Sequence, residues 1–356
     1  GFFPLTRSIS VTPGESVLIN DITLIRKSEP TRIMPLSALH EGAVRGDMLI
    51  VHDATVVSAV DLRFERTRTV YQSPEPITGL IVSGSGAVMV VHTKKGWHIR
   101  DQSGELSSSL KTPQPFRDFR FAHESDDLYA QTGEGIYRFE KERGEFSPVL
   151  LRGGIRSFYV TGNALYMVSE ARVIEEFRLP EGTRVRELSD RPLFDTIMDS
   201  SNGTLVLRDD AGASIYLLDR YAKAATFQQV SNADSVRFVS PERFFSTNAF
   251  EVWEHFFSPD RYTRTLITRQ STPIADSVPF RERPFTLISS QNGEVRLWSL
   301  ERAERQAPVL SDFDKVVDSV LNQKETTAYI IGSFHGESGV YAIPLIEEEQ
   351  VFPLVK

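Results

Sequence analysis

The sequence predicts an all-β protein, a β-propeller of eight blades with seven as the alternative, preceded by a short N-terminal β-hairpin. Three observations carry that expectation. The stretch from Asp126 to Leu150, DDLYAQTGEGIYRFEKERGEFSPVL, reads as three short strands in a meander. Its apolar residues alternate with polar ones, and its turns hold Gly133-Glu134-Gly135 and Gly144. The same unit then recurs: apolar starts of its first meander strand fall at Met48, Val88, Leu128, Leu165, Leu205, Phe244, Thr286 and Ala328, 37 to 42 residues apart. Finally, no unit holds a helical stripe, so a helical solenoid of similar period is excluded. Repeats of about 40 residues with four short strands each are what a propeller requires.

Taken in order, residues 1–31 stand apart from the repeat. Thr6 to Val11 alternates as a strand, Pro13-Gly14 turns, and Ser16 to Arg26 alternates again, giving a hairpin with one apolar face. A Gly-aromatic start, a strand ending in Ser10-Val11-Thr12-Pro13-Gly14-Glu15 and a strand ending in Ile22-Thr23-Leu24 resemble the second half of a PEGA domain, a small β-module common on bacterial and archaeal surface proteins. The Pro-Glu-Gly-Ala segment that names that family is missing here. The resemblance implies an extracytoplasmic, prokaryotic protein, tethered by an N-terminal segment that precedes this sequence.

Residues 32–356 are assigned to the propeller, with Arg32 to Leu39 read as a Pro-containing linker into it. The leading strand of each unit is expected at Ala38 to Val44, Ile77 to Val82, Phe116 to Phe121, Ile155 to Val160, Phe194 to Asp199, Ala233 to Val239, Ile274 to Phe280 and Val316 to Leu321. Two closures are open. Glu349 to Val355 completes the eighth unit, or Ser16 to Arg26 pairs into the last blade and the count falls to seven. The architecture is WD40-like or TolB-like, although the Gly-His and Trp-Asp pairs of true WD40 repeats are absent from their expected places.

Aromatics recur in the third strand of the unit at Trp97, Tyr137, Phe139, Trp253 and Trp298, and are read as fillers of the wedge between sheets. Near the start of the leading strand one column runs Thr78, Asp118, Arg156, Asp195, Asp234, Asp276 and Asp318. In a propeller these side chains approach one channel mouth, where carboxylates suit a hard cation such as Ca²⁺. The competing reading is structural: Asp entering a strand accepts backbone N–H bonds, and Arg156 neutralises Asp118 or Asp195. His52 and His92 share a repeat position 40 residues apart, which is either a two-histidine metal site or a coincidence of strand ends.

Composition narrows the function. Lys+Arg 40 against Asp+Glu 48 gives a formal net charge of −8 with both signs dispersed, so there is no basic stripe for nucleic acid. The absence of cysteine excludes disulfides, thiol catalysis and Cys-ligated metal sites. No nucleophile elbow, P-loop, dinucleotide fingerprint or EF-hand loop is present. The expected function is therefore a non-enzymatic scaffold that binds a protein or cell-envelope polymer outside the cytoplasm, without cofactor unless Ca²⁺ occupies the channel mouth, and meeting the membrane only through the preceding anchor. The alternatives are a metal-assisted hydrolase or lactonase built on the aspartate column, and a self-associating surface-layer component.

Overall fold

The computed structural model describes residues 29–101, 108–109, 115–122, 125–187, 196–201, 204–209, 212–217, 226–231, 233–240, 242–258, 261–300 and 309–345. The predicted hairpin strands Thr6 to Val11 and Ser16 to Arg26, and the final strand Glu349 to Val355, lie outside the described residues. The described chain is all strand, without a helix.

Two compact units form, one of residues 1–39 and 272–356, the other of residues 40–271. The first unit opens with β1 (Thr31–Pro35). The second holds six four-stranded antiparallel sheets, each a meander in chain order. They are β2 (Ala43–Arg45), β3 (Met48–Asp53), β4 (Val56–Asp61), β5 (Arg66–Gln72); β6 (Ile77–Val82), β7 (Val88–Thr93), β8 (Gly96–Asp101), β9 (Ser108–Ser109); and β10 (Asp118–Phe121), β11 (Leu128–Gln131), β12 (Gly135–Glu140), β13 (Glu145–Leu151). They continue with β14 (Ile155–Thr161), β15 (Ala164–Ser169), β16 (Ile174–Arg178), β17 (Thr183–Glu187); β18 (Thr196–Ser201), β19 (Thr204–Asp209), β20 (Gly212–Leu217), β21 (Thr226–Ser231); and β22 (Ser235–Ser240), β23 (Arg243–Thr247), β24 (Glu251–Ser258), β25 (Arg261–Arg269). The first unit adds β26 (Ile274–Pro279), β27 (Phe285–Ser290), β28 (Glu294–Ser299), β29 (Val309–Asp312), and then β30 (Lys315–Leu321), β31 (Thr327–Phe334) and β32 (Glu337–Pro344).

The eighth sheet has the order β1-β32-β31-β30. Its outer strand thus comes from the stretch expected to be a linker, which corrects that expectation. Pro30 and Pro35 bracket the strand, and a proline is tolerated at an outer strand because its missing N–H faces no partner. Arg32 fixes the pairing by donating to Glu337 Oε2 at 2.7 Å and to the Ser338 carbonyl at 2.6 Å.

The packing explains why the period was readable. Second strands are apolar on both faces: Val88, Met89, Val90 and Val91 of β7 are all buried. Met89 and Val91 pack with Ile50, Val57 and Ala59 of the preceding sheet, whereas Val88 and Val90 pack with Phe119, Leu128 and Ala130 of the following one. Further cores join β10–β13 to β14–β17, around Phe158, Met167 and Ile136, and β26–β29 to β30–β32, around Phe280, Leu287 and Ile330. A strand covered on both sides reads as a continuous apolar run. Outer strands such as β5 (burial exposed over Arg66 to Thr69) carry no such demand.

Candidate interaction surface

Repetition places the predicted aspartates at the starts of leading strands, but a β-bulge there splits the column. Asp118, Asp276 and Asp318 stand in the ladder opposite Gln131, Ser289 and Ile331. Thr78 and Arg156 are bulge residues that the ladder skips, and Asp234 precedes β22. Asp195 lies outside the described residues. One extra residue in a strand turns the following side chains to new directions, so recurrence at a similar spacing in sequence does not produce one row of side chains.

The paired aspartates spend oxygens on the backbone. Each accepts the N–H of the next residue: Asp118 from Phe119 at 2.9 Å, Asp276 from Ser277 at 2.8 Å, Asp318 from Ser319 at 2.8 Å. Asp118 also accepts from Arg120 Nε at 3.1 Å. The second oxygen of Asp276 reaches the neighbouring sheet, accepting from Ser319 N–H at 3.0 Å, where Ser289 and Ser319 hydroxyls meet at 2.9 Å. Among the described residues no group of three or more His, Asp or Glu is arranged to hold a metal ion.

The equivalent histidines take different partners. His52 is buried and stacks on His40, with ring centroids 4.1 Å apart; its Nδ1 has no hydrogen-bond partner, and burial together with His40 lowers its pKa to about 4. His92 stacks on Trp97 at 4.1 Å, and its Nδ1 meets the Thr78 hydroxyl at 2.8 Å. The described geometry therefore uses the two histidines separately. Trp97 also leans on Phe119 across the sheet boundary at 4.8 Å, as a wedge filler should.

Sequence periodicity missed a buried relay in the sheet β22–β25. His255 accepts or donates at both ring nitrogens, to Ser246 Oγ at 2.7 Å and to Tyr262 OH at 2.8 Å, so one imidazole ties β23, β24 and β25 together. Its ring lies flat on Phe244 at 4.5 Å, and burial, with Arg264 nearby, pulls its pKa down to about 4. A serine, a histidine and a tyrosine on three adjacent strands left no local motif to find.

The surface has a recurring chemistry of its own. Six large apolar side chains are exposed among the described residues: Phe64, Leu151, Val185, Phe250, Phe256 and Leu266. Phe64, 64% exposed at the β4–β5 turn, has guanidinium groups of Arg63 and Arg66 over its ring at 5.2 and 5.9 Å. Leu151 precedes Arg152, and Val185 sits between Arg184 and Arg186; Arg152 and Arg184 converge on buried Glu175 at 2.7 and 2.8 Å. Arg243 covers Phe256 at 5.6 Å while pairing with Glu254 at 2.7 Å. Leu266 pairs in the ladder with Trp253, over which Arg264 lies at 4.9 Å. Apolar anchors beside arginine are the composition of interface hot spots.

No protein-family model matches the chain, and no curated protein matches it in sequence. Solved structures do. The C-terminal WD40 domain of Sif2 is 13% identical with a TM-score of 0.62, over 88% of this chain and 98% of that one. BamB from Moraxella catarrhalis is 12% identical with a TM-score of 0.57, over 91% and 100%. The Dos1 propeller is 9% identical with a TM-score of 0.58, over 90% and 95%. At these identities the likeness shows the fold: the chain is a β-propeller, WD40-like and BamB-like in architecture. Nothing found supports the PEGA resemblance of the first residues.

Proposed function

We propose that the chain is a non-enzymatic scaffold that binds a protein or a cell-envelope polymer on the extracytoplasmic side of a prokaryotic cell. The observation that carries this reading is the pairing of exposed aromatic side chains with arginine at Phe64 and Phe256, together with exposed Leu266 beside the Arg264–Trp253 pair. Such positions combine dehydratable area with a guanidinium that hydrogen-bonds or stacks, and few residues of this kind dominate binding energy. The fold leaves the reading to the surface, since one constant frame hosts many functions through the sites grafted onto it. Placement outside the cytoplasm is part of this proposal and rests on the sequence resemblance of residues 1–31 alone.

Purified wild-type chain and a variant carrying Phe64→Ala, Leu151→Ser and Phe256→Ala, matched in circular dichroism and Tm, should be crosslinked in whole cells of the source organism. The expected result is one partner set retained by wild type and lost at least tenfold by the variant, recovered from the envelope fraction. An identical partner set for both proteins, or partners confined to the cytosolic fraction, would overturn the proposal.

A further inference from the structure

Strand β25 differs from the other outer strands. It is nine residues long, against seven in β5 and β13, six in β21, five in β1 and β17, four in β29 and two in β9. Native sheets protect such edges with proline, inward charge or brevity. β13 has Pro148, β1 ends in Pro35, and β17 is short. β25, RYTRTLITR, has neither proline nor an acidic residue and is bulged only at Ile267, beyond Leu266; of its three arginines Arg269 pairs with Glu251, while Arg264 lies over Trp253 in a chain of net charge −8.

Its register shows which backbone groups face outward. Ser258 pairs with Arg261 across a two-residue connection, so that pair is the hydrogen-bonded one and alternate pairs follow. Arg264 and Leu266, opposite His255 and Trp253, then turn their N–H and C=O away from β24. Both side chains are exposed and lie two residues apart on one face, with Trp253 beneath them. Among the described residues no strand pairs with this edge. The His255 bonds to Ser246 and Tyr262 anchor β25 to the sheet behind it, which makes the edge a rigid template.

We infer that β25 is a docking edge for an extended peptide segment that adds a fifth strand, with an acidic side chain against Arg264 and an apolar one, two residues away, against Leu266 and Trp253. The inference rests on the scaffold reading and names its partner class. Main-chain bonds supply affinity in strand addition, and alternate side chains supply specificity; the basic edge selects the acidic residue. β5 is also basic, with Arg66 and Arg68, but its exposed positions hold only arginine, threonine and glutamine, so it offers the apolar residue no seat.

The probe is a fluorescein-labelled, end-capped octapeptide Asp-Thr-Val-Thr-Asp-Thr-Val-Thr, titrated with the full chain by anisotropy. Saturable binding that falls at least tenfold with Arg264→Glu and with Leu266→Pro is expected, together with weakening as salt rises and no change with Arg68→Glu. The proline removes an outward N–H, which an edge strand tolerates. Should Leu266→Pro fail to fold, an analogue N-methylated at alternate residues replaces it and should not bind the wild-type chain. Equal binding of the methylated analogue, or no saturable binding, overturns the inference while leaving the scaffold reading to its own crosslinking test. Mass spectrometry of the recovered probe separates the two further: a cleaved peptide would sink the non-enzymatic reading, not the docking edge.

Discussion

His255 gives the sharpest physical test of the fold. The ring is 1% exposed and its pKa falls from 6.5 to about 4, chiefly through burial. The unfolded ring takes up a proton near 6.5, whereas the folded ring does so only near 4, so between those values the unfolded chain binds more protons and acid favours it. At about 1.4 kcal/mol per pH unit of separation, the neutral ring's contribution declines by ~3 kcal/mol as pH drops from 7 to 4. His255→Phe keeps a flat ring on Phe244 but leaves the Ser246 and Tyr262 hydroxyls without their nitrogen partner, which costs about 1–3 kcal/mol at neutral pH. Urea unfolding of both proteins from pH 7 to 4 should therefore show wild type ahead at pH 7 and the gap shrinking, then reversing, toward pH 4. His52 titrates over the same range through burial and His40, against the opposing charge of Asp53, but it does so in both proteins and cancels in the difference. Parallel curves, or a His255 ring that titrates near 6.5 by NMR in the folded chain, would refute the reasoning.

Other consequences follow from single contacts. Gly293 has φ +96°, and a Cβ there would overlap the Phe313 carbonyl oxygen, so Gly293→Ala should cost at least ~2 kcal/mol by thermal or urea unfolding. Asp276→Ala should cost about 1–3 kcal/mol by removing an acceptor shared by Ser277 and Ser319, and Asp276→Asn, which keeps one carbonyl acceptor, should cost less. Phe119→Ala empties a fully buried site between two sheets and should cost about 3–5 kcal/mol. A chain begun at Leu36 lacks β1 and should melt at least roughly 5 °C below one begun at Glu29.

The frame was legible because burial writes a signal into the sequence. Every apolar start of the repeat is the first or second residue of a second strand, from Met48 of β3 to Ala328 of β31, and strands such as β7 and β15 are buried along both faces. The leading strands were legible too, with Ile77 to Val82 matching β6 to the residue, except in the first unit, where the strand expected at Ala38 to Val44 is only β2, Ala43–Arg45. β1 was missed because a five-residue strand bracketed by Pro30 and Pro35 has the composition of a linker, and its pairing partner β32 lies some 300 residues away. The aspartate column misled for a related reason: sequence spacing counts residues, whereas the bulge falls on Thr78 and Arg156 in two leading strands and one residue before Asp276 and Asp318 in two others, so the column mixes inequivalent positions.

What the sequence concealed lies mostly on outer strands and at turns, and the physics of the repeat explains why. A second strand must satisfy two neighbouring sheets, so its residues are dictated by packing and carry little else. An outer strand packs along only part of its surface, and its far edge makes no demand on side-chain type. Arg264 and Leu266 are therefore not required by the fold as Val90 or Ile330 are. A protection rule does act on that edge, and β1, β13 and β17 obey it with proline or brevity. β25 is long and lacks proline, and its arginines are either edge protection or half of a charge-complementary contact. Protection requires only that strand addition be discouraged, so Arg264→Glu would leave the protein's binding unchanged; recognition requires that the same reversal of charge abolish it.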